Sequence, residues 1–184
     1  MFRPRRHPIS AATEVSRVNV FLSGLGWVAT AWQHKRLYAL TFGHRSPQLA
    51  VTAWGLSAES SESVETAPGD AFAERLQAYA DGRADDFRDV PVVLDDFTDF
   101  QRRVFHRCRR IAYGSTLAYG ELAAAIGAPQ AARAVGNTMA RNRIPLVIPC
   151  HRVVGAAGAL GGFSAPDGIN LKRRLLQLEK ENRR

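Results

Sequence analysis

Cys150 and His151 stand side by side in the segment Asn142-Arg143-Ile144-Pro145-Leu146-Val147-Ile148-Pro149-Cys150-His151-Arg152-Val153-Val154. A cysteine attacks as its thiolate, and an unperturbed thiol ionises only near about pH 8.5, so a base or a positive charge must help it at neutral pH. His151 is such a base, acting directly or through one water. Adjacent side chains tend to point apart, so the bridging water is the expected geometry. A third group must then orient the imidazole. Pro145 and Pro149 bracket an apolar run and stiffen the backbone that leads to the sulfur. The other cysteine, Cys108, falls on an apolar helical stripe and reads as a small buried hydrophobe. Two cysteines allow at most one disulfide and cannot build a four-cysteine zinc site.

The charge around this segment is uneven. The 184-residue chain carries a net charge of +8. Residues 1–92 hold ten basic and ten acidic side chains, so the whole excess lies in residues 93–184. Within residues 101–152 there are nine Arg and a single acid, Glu121. Arginine's planar fork donates two hydrogen bonds to a phosphate, so a basic segment this localised points to a polyanion such as nucleic acid. A merely solvated basic face is the bland alternative. No apolar run is long enough for a membrane span, and the basic start Met1-Phe2-Arg3-Pro4-Arg5-Arg6-His7-Pro8 leads into no signal-type apolar stretch. The expectation is a cytoplasmic protein, or a nuclear one in a eukaryote.

The elements that must position the cysteine divide near residues 95–99 into residues 1–95 and 96–184. In the first part, Val18–Leu22, Trp27–Trp32 and Leu37–Phe42 read as strands, with a turn at Gly24 and Gly26 and a hairpin link at Gln33–Arg36. Ser46-Pro47 starts a helix. Residues 57–70 form an acidic loop, and Ala71–Ala80 is a helix with Phe72, Leu76 and Tyr79 on one face and Gly82 beyond its end. Val90–Leu94 reads as a last strand, at an edge because of Pro91. From Thr98 the period is helical. Thr98 and Gln101 fit a capping box, and Phe100, Val104, Cys108 and Ile111 form an inward stripe with Arg102, Arg103, Arg107, Arg109 and Arg110 between them. Tyr113–Thr116 is a turn. Helices over Tyr119–Ile126 and, from Pro129, over Gln130–Gly136 resemble a helix-turn-helix.

Ile148-Pro149-Cys150-His151-Arg152-Val153 resembles the active-site motif of the O6-alkylguanine-DNA alkyltransferases. The resemblance extends to Phe100-Gln101, to Tyr119-Gly120-Glu121-Leu122-Ala123, to Ala131-Ala132-Arg133-Ala134-Val135-Gly136-Asn137, to Asn142, and to Leu175-Leu176-Gln177-Leu178-Glu179. Order and spacing agree through residues 97–179; the first half fits more loosely, through Leu25-Gly26-Trp27 and the hairpin after it.

This likeness implies an α+β fold: a ribonuclease-H-like N-terminal domain of a small sheet with helices, and an all-helical C-terminal domain with the helix-turn-helix. It implies a single-use DNA repair protein, acting as a monomer on double-stranded DNA that contains O6-alkylguanine, with O4-alkylthymine as a further candidate substrate. The damaged base is turned out of the stack and its alkyl group passes irreversibly to Cys150, with no cofactor. By resemblance His151 takes the thiol proton, Glu179 holds His151, Asn142 braces the loop, and Tyr119 donates to the guanine ring. Arg133 fills the gap that the base leaves, and Tyr119, Ala132 and Gly136 lie against the DNA. Val153, Ser164, Phe163 and Pro145 line the base pocket, with the glycine-rich segment 158–168 as its flexible wall. Glu179 follows Leu175 by four residues and Leu176 by three, so it can face inward with them, where an acid needs a partner. Without the wider pattern, Arg133 reads as a solvated charge, Glu179 as an exposed acid, Tyr119 as packing and Asn142 as a turn residue.

Two departures bear on substrate preference and a third on metal content. Ala118 stands where the family often has a Ser, which removes a helix cap although Glu121 can still reach back. Phe163 stands where a Tyr is common. Some members bind zinc in the N-terminal part, but residues 1–92 contain no Cys and only His7, His34 and His44, so no zinc site is expected. Other readings predict other chemistry. A damage-binding protein like the alkyltransferase-like proteins would lack the cysteine; a helix-turn-helix regulator would need base-reading side chains where the second helix has mostly Ala; a cysteine hydrolase would turn over without DNA.

Overall fold

The structure, a computed structural model, describes residues 15–54 and 70–183. The basic run 1–8 with His7, and the acidic loop except Asp70, lie outside the described residues. Three antiparallel strands open the fold: β1 (Arg17–Ser23), β2 (Gly26–Gln33) and β3 (Arg36–His44), in the order β1-β2-β3. The short helix α1 (Pro47–Thr52) follows. Its start is set as expected, with Ser46 accepting from the Leu49 N–H and Pro47 in the first turn. One face of the sheet buries Val18, Val20, Ala29, Ala31 and Ala39 under Ala50, Val51 and Trp54, while Phe21, Val28, Trp32, Leu40 and Phe42 enter the main core. Cover on both faces explains why the strands read as apolar runs rather than as alternating sequence.

Helix α2 (Ala71–Ala80) has the expected bounds and buries Phe72, Leu76 and Tyr79. Its cap is Asp70, which accepts from the Phe72 and Ala73 N–H groups. The expected strand Val90–Leu94 shrinks to one parallel bridge, Leu37 with Val92. The Pro91 carbonyl accepts from Leu37 N at 2.8 Å and Val93 N donates to Leu37 O at 2.9 Å. Pro91 has no N–H to extend the ladder, and the next place along β3 is taken by another segment, since Leu40 N donates to Arg143 O at 2.8 Å.

The second half is mainly helical: α3 (Asp99–Cys108), α4 (Tyr119–Ala125), α5 (Ala132–Met139) and α6 (Gly168–Glu181). Thr98 and Gln101 form the capping box that the sequence announces. Two corrections apply. The half is not wholly helical, because β4 (Leu117–Ala118) and β5 (Val153–Val154) pair in parallel. This pairing ties the start of α4 to the chain just beyond Cys150. The second expected helix runs over Ala132–Met139 rather than from Pro129 to Gly136; residues 129–130 form a turn, closed by Ala131 N donating to Ala128 O at 2.9 Å. The main hydrophobic core is continuous from Phe21 and Val28 through Val104 and Phe105 to Leu175. No helix of the described residues is long and apolar enough to cross a membrane.

Candidate active site

Cys150 begins a single 3-10 turn, Cys150–Arg152, directly after Pro149. Asn142 shapes the loop that delivers it: the Asn142 side-chain amide donates to Ile148 O at 2.8 Å, and its oxygen accepts from Ile144 N at 3.0 Å. These two hydrogen bonds span the loop from Asn142 to Ile148. Leu146, between the two contacts, has φ 71, a left-handed conformation costly for a branched residue and held here by its surroundings. Cys150 is 9% exposed, and it borders a cavity of about 690 Å³ that also touches Met139, Asn142, Pro145, Phe163 and Ser164. The sulfur is thus not sealed in hydrocarbon.

Behind Cys150 lies a buried polar cluster. His151 and Glu179 are both 0% exposed, and His151 Nε2 lies 2.9 Å from Glu179 Oε1. Arg152, 1% exposed, donates to Glu179 through Nε and Nη2, and through Nη1 to Ile111 O and Asp86 Oδ1, both at 2.7 Å. The Tyr79 hydroxyl donates to Glu179 Oε1 at 2.6 Å, and Gly114 N donates to Oε2 at 3.0 Å. Gly114 has φ +68, and a Cβ there would stand 3.0 Å from Glu179 O, so this contact needs glycine. Burial opposes ionisation of Glu179, but hydrogen bonds from His151 and Arg152 prevail and hold its carboxyl well below the usual range. Burial also lowers the His151 imidazole, against the upward pull of Glu179. With Nε2–H given to Glu179, Nδ1 is the open lone pair; it is buried and has no hydrogen-bond partner among the described residues. Burial pushes the Cys150 thiol up, while the Asn142 amide and the Lys172 charge pull it down. The sulfur therefore rests as a thiol and needs the base next to it.

Tyr119 opens α4 beside this turn, and Gly161, at φ +62, lies so near that a Cβ would come within 3.4 Å of the Tyr119 hydroxyl. Burial raises the phenol, with Cys150 contributing in the same direction. Ala118 supplies no side-chain cap, and Glu121 reaches back to the Ala118 N–H at 2.7 Å, as the sequence implied. Arg133 and Ala134 at the start of α5, with Asn137 one turn later, are exposed, while Ala132 and Gly136 are half-buried. Arg133 makes no ion pair among the described residues. Phe163 packs on Phe42 with ring centroids 6.5 Å apart and lies on the cavity wall. Val153 stands apart from the other expected pocket residues. It is 0% exposed, pairs with Leu117, gives its carbonyl to Lys172 Nζ at 2.7 Å, and is not on the cavity wall. Among the described residues no three His, Cys, Asp or Glu side chains converge as a metal would require.

Three members of the cluster, Arg152, Tyr79 and Asp86, and the neighbouring Lys172 on Val153 O have no role on sequence grounds alone. Lys172 carried a legible signal, because it shares the buried stripe of α6 with Leu171, Leu175 and Glu179.

Comparison with known proteins bears on the same residues. Residues 99–181 match the family described as 6-O-methylguanine DNA methyltransferase, DNA binding domain. The methylated-DNA–protein-cysteine methyltransferase of Mycobacterium tuberculosis (strain ATCC 25618 / H37Rv) is 50% identical over 107 residues, 58% of this chain and 62% of that protein, so the match spans less than two thirds of the relative's length. The protein of the same name from Methanosarcina barkeri is 43% identical over 112 residues, 61% of this chain and 68% of the relative. A crystal structure of Mycobacterium tuberculosis OGT in complex with DNA superposes with a TM-score of 0.71 at 36% identity, covering 90% of this chain and 94% of that one. On these matches the chain belongs to the 6-O-methylguanine DNA methyltransferase family.

Proposed function

We propose that the protein repairs DNA by moving a methyl or larger alkyl group from O6-alkylguanine to its own Cys150, once per molecule. The observation that carries this reading is the sulfur at the edge of a cavity, backed by an imidazole whose Nε2–H is held and whose Nδ1 is open. Nδ1 takes the thiol proton through a bridging water, Glu179 stabilises the imidazolium that forms, and the sulfur displaces guanine in line at the alkyl carbon. The S–C bond forms as the C–O6 bond breaks, and the Tyr119 hydroxyl supplies a proton to the departing purine. The thioether has no route back, and the scheme uses no cofactor.

The partner in this reading is double-stranded DNA, gripped by α4 and α5 as a helix-turn-helix. Arg133 enters the stack where the base leaves, while Ala132, Gly136 and Tyr119 lie along the groove. Pro145, Phe163 and Ser164 wall the extruded base, with Val153 acting from behind through its backbone. Residues 1–95, a ribonuclease-H-like sheet with helices, support residues 96–184; the division is one of chemistry, since the core runs through both. The protein acts as a monomer in the cytoplasm, or in the nucleus of a eukaryote. The test is stoichiometry: radiolabelled methyl from duplex DNA accumulates on the protein to one equivalent and stops, and Cys150→Ala abolishes the transfer while keeping its DNA affinity. Continued turnover, or label released as a small molecule, refutes the reading in favour of a hydrolase.

A further inference from the structure

Tyr79 reaches the polar cluster from the other half of the chain. It lies on α2, is 1% exposed, and packs between Phe87 and Tyr113 with ring centroids 5.6 and 5.9 Å away. A phenylalanine would fill the same space, so packing alone does not explain the hydroxyl. That hydroxyl donates to Glu179 Oε1 at 2.6 Å and lies 3.5 Å from His151 Nε2. Oε1 is the same oxygen that holds the imidazole. Two neutral donors, one from each half of the molecule, therefore share this carboxylate oxygen with the Arg152 guanidinium, whose Nη2 donates to it at 2.9 Å.

We propose that Tyr79 is a positioning residue for alkyl transfer: by engaging Glu179 Oε1, its hydroxyl limits the pull of that carboxylate on His151 and keeps the imidazole neutral, with Nδ1 open toward the Cys150 proton. This rests on the transfer reading above. An oxygen that accepts a short O–H bond carries less charge toward its other partner, so the neighbouring imidazolium gains less from it. The other groups facing His151 set the remaining balance. Glu179 on α6 favours the imidazolium, Arg152 beside it and Lys172 on α6 oppose it, and Cys150 is the source of the proton. Tyr113, on the turn before β4, packs on Tyr79 and does not touch the ring nitrogen. Removing the Tyr79 hydroxyl leaves Glu179 Oε1 to the imidazole and the Arg152 guanidinium alone, and the imidazole then holds its proton to higher pH.

The experiment is Tyr79→Phe in the full chain, read in two ways: the single-turnover rate of methyl transfer from duplex DNA between about pH 5.5 and about pH 8.5, and a nitrogen NMR titration of histidine-labelled protein. The acid limb of the rate profile is expected to move up by about one pH unit, giving roughly tenfold slower transfer near its foot and no change at the alkaline end. Protonation of His151 Nδ1 should move by the same amount. A rate lowered equally at every pH, with an unmoved NMR midpoint, reduces Tyr79 to packing and overturns the proposal. If the unaltered protein transfers no methyl group, the functional reading fails, and the NMR titration still decides the role of Tyr79. Should Tyr79→Phe not fold, 3-fluorotyrosine placed at position 79 is a stronger donor and must shift both readouts down; unmoved readouts overturn the proposal.

Discussion

Around Glu179, five N–H and O–H donors from four residues converge on one buried carboxylate, contributed by α2, the turn before β4 and the cysteine turn. On α5, which precedes the cysteine turn in the chain, Arg133, Ala134 and Asn137 face solvent. The contrast separates two tasks. A proton must be moved at a fixed place, so its acceptor is held from several sides before any substrate arrives. Under the proposed function a groove of DNA is met by side chains left uncommitted, and Arg133 makes no ion pair among the described residues. Stability should therefore reside behind the sulfur and DNA recognition in front of it.

The largest break in that contrast should come from Arg152→Met. It strips the guanidinium from a carboxylate that is 0% exposed, and leaving such a charge without its partner costs about 3–5 kcal/mol. Urea unfolding checks this, and a loss no larger than that of a surface substitution would erase the distinction between the two regions. Acid comes next. Glu179 is ionised far below its usual range in the folded protein, so its contribution is present above about pH 4.3 and is lost as pH falls below that. His151 is lowered instead: below about pH 6.5 the unfolded chain takes up a proton that the folded one resists, and stability falls there too. Unfolding midpoints measured against pH should show both declines, and Glu179→Gln should make the lower one shallower, the remainder coming from carboxylates such as Asp89 and Asp96 that arginines also hold ionised.

On the other surface, Arg133→Ala should leave stability within about 0.5 kcal/mol of the unaltered protein. It should slow transfer from duplex DNA well beyond any effect on a free alkylated base; equal losses on the two substrates would remove Arg133 from base extrusion. The smallest effect is expected at Ala118→Ser, which gives α4 the cap it lacks and should add about 1 kcal/mol at most. A melting temperature that does not rise would show that Glu121 already satisfies that helix end.

The sequence was legible where chemistry and local rules coincide. Cys150 with His151 and the Thr98 capping box follow from spacing within one element, whereas the inward place of Glu179 is only allowed by spacing and is picked out by the family resemblance. It was illegible where partners are far apart along the chain: Tyr79 meets Glu179 across 100 residues, and Asp86 meets Arg152 across 66. No periodicity carries such information. The bounds of α5 were misread because Pro129 is a good first helical residue but here belongs to a preceding turn, and Val90–Leu94 was overread because a run of apolar side chains does not reveal how much of a strand edge is free to pair. Lys172, like Glu179, interrupts the buried apolar stripe of α6, which is a signal that the sequence carries.

The most direct test is intact-protein mass spectrometry after mixing with a duplex that contains one O6-methylguanine. The account predicts the gain of a single methyl group, mapped to the peptide of Cys150 and absent in Cys150→Ala. A protein of unchanged mass beside repaired DNA, or a methyl group on Cys108, would contradict it.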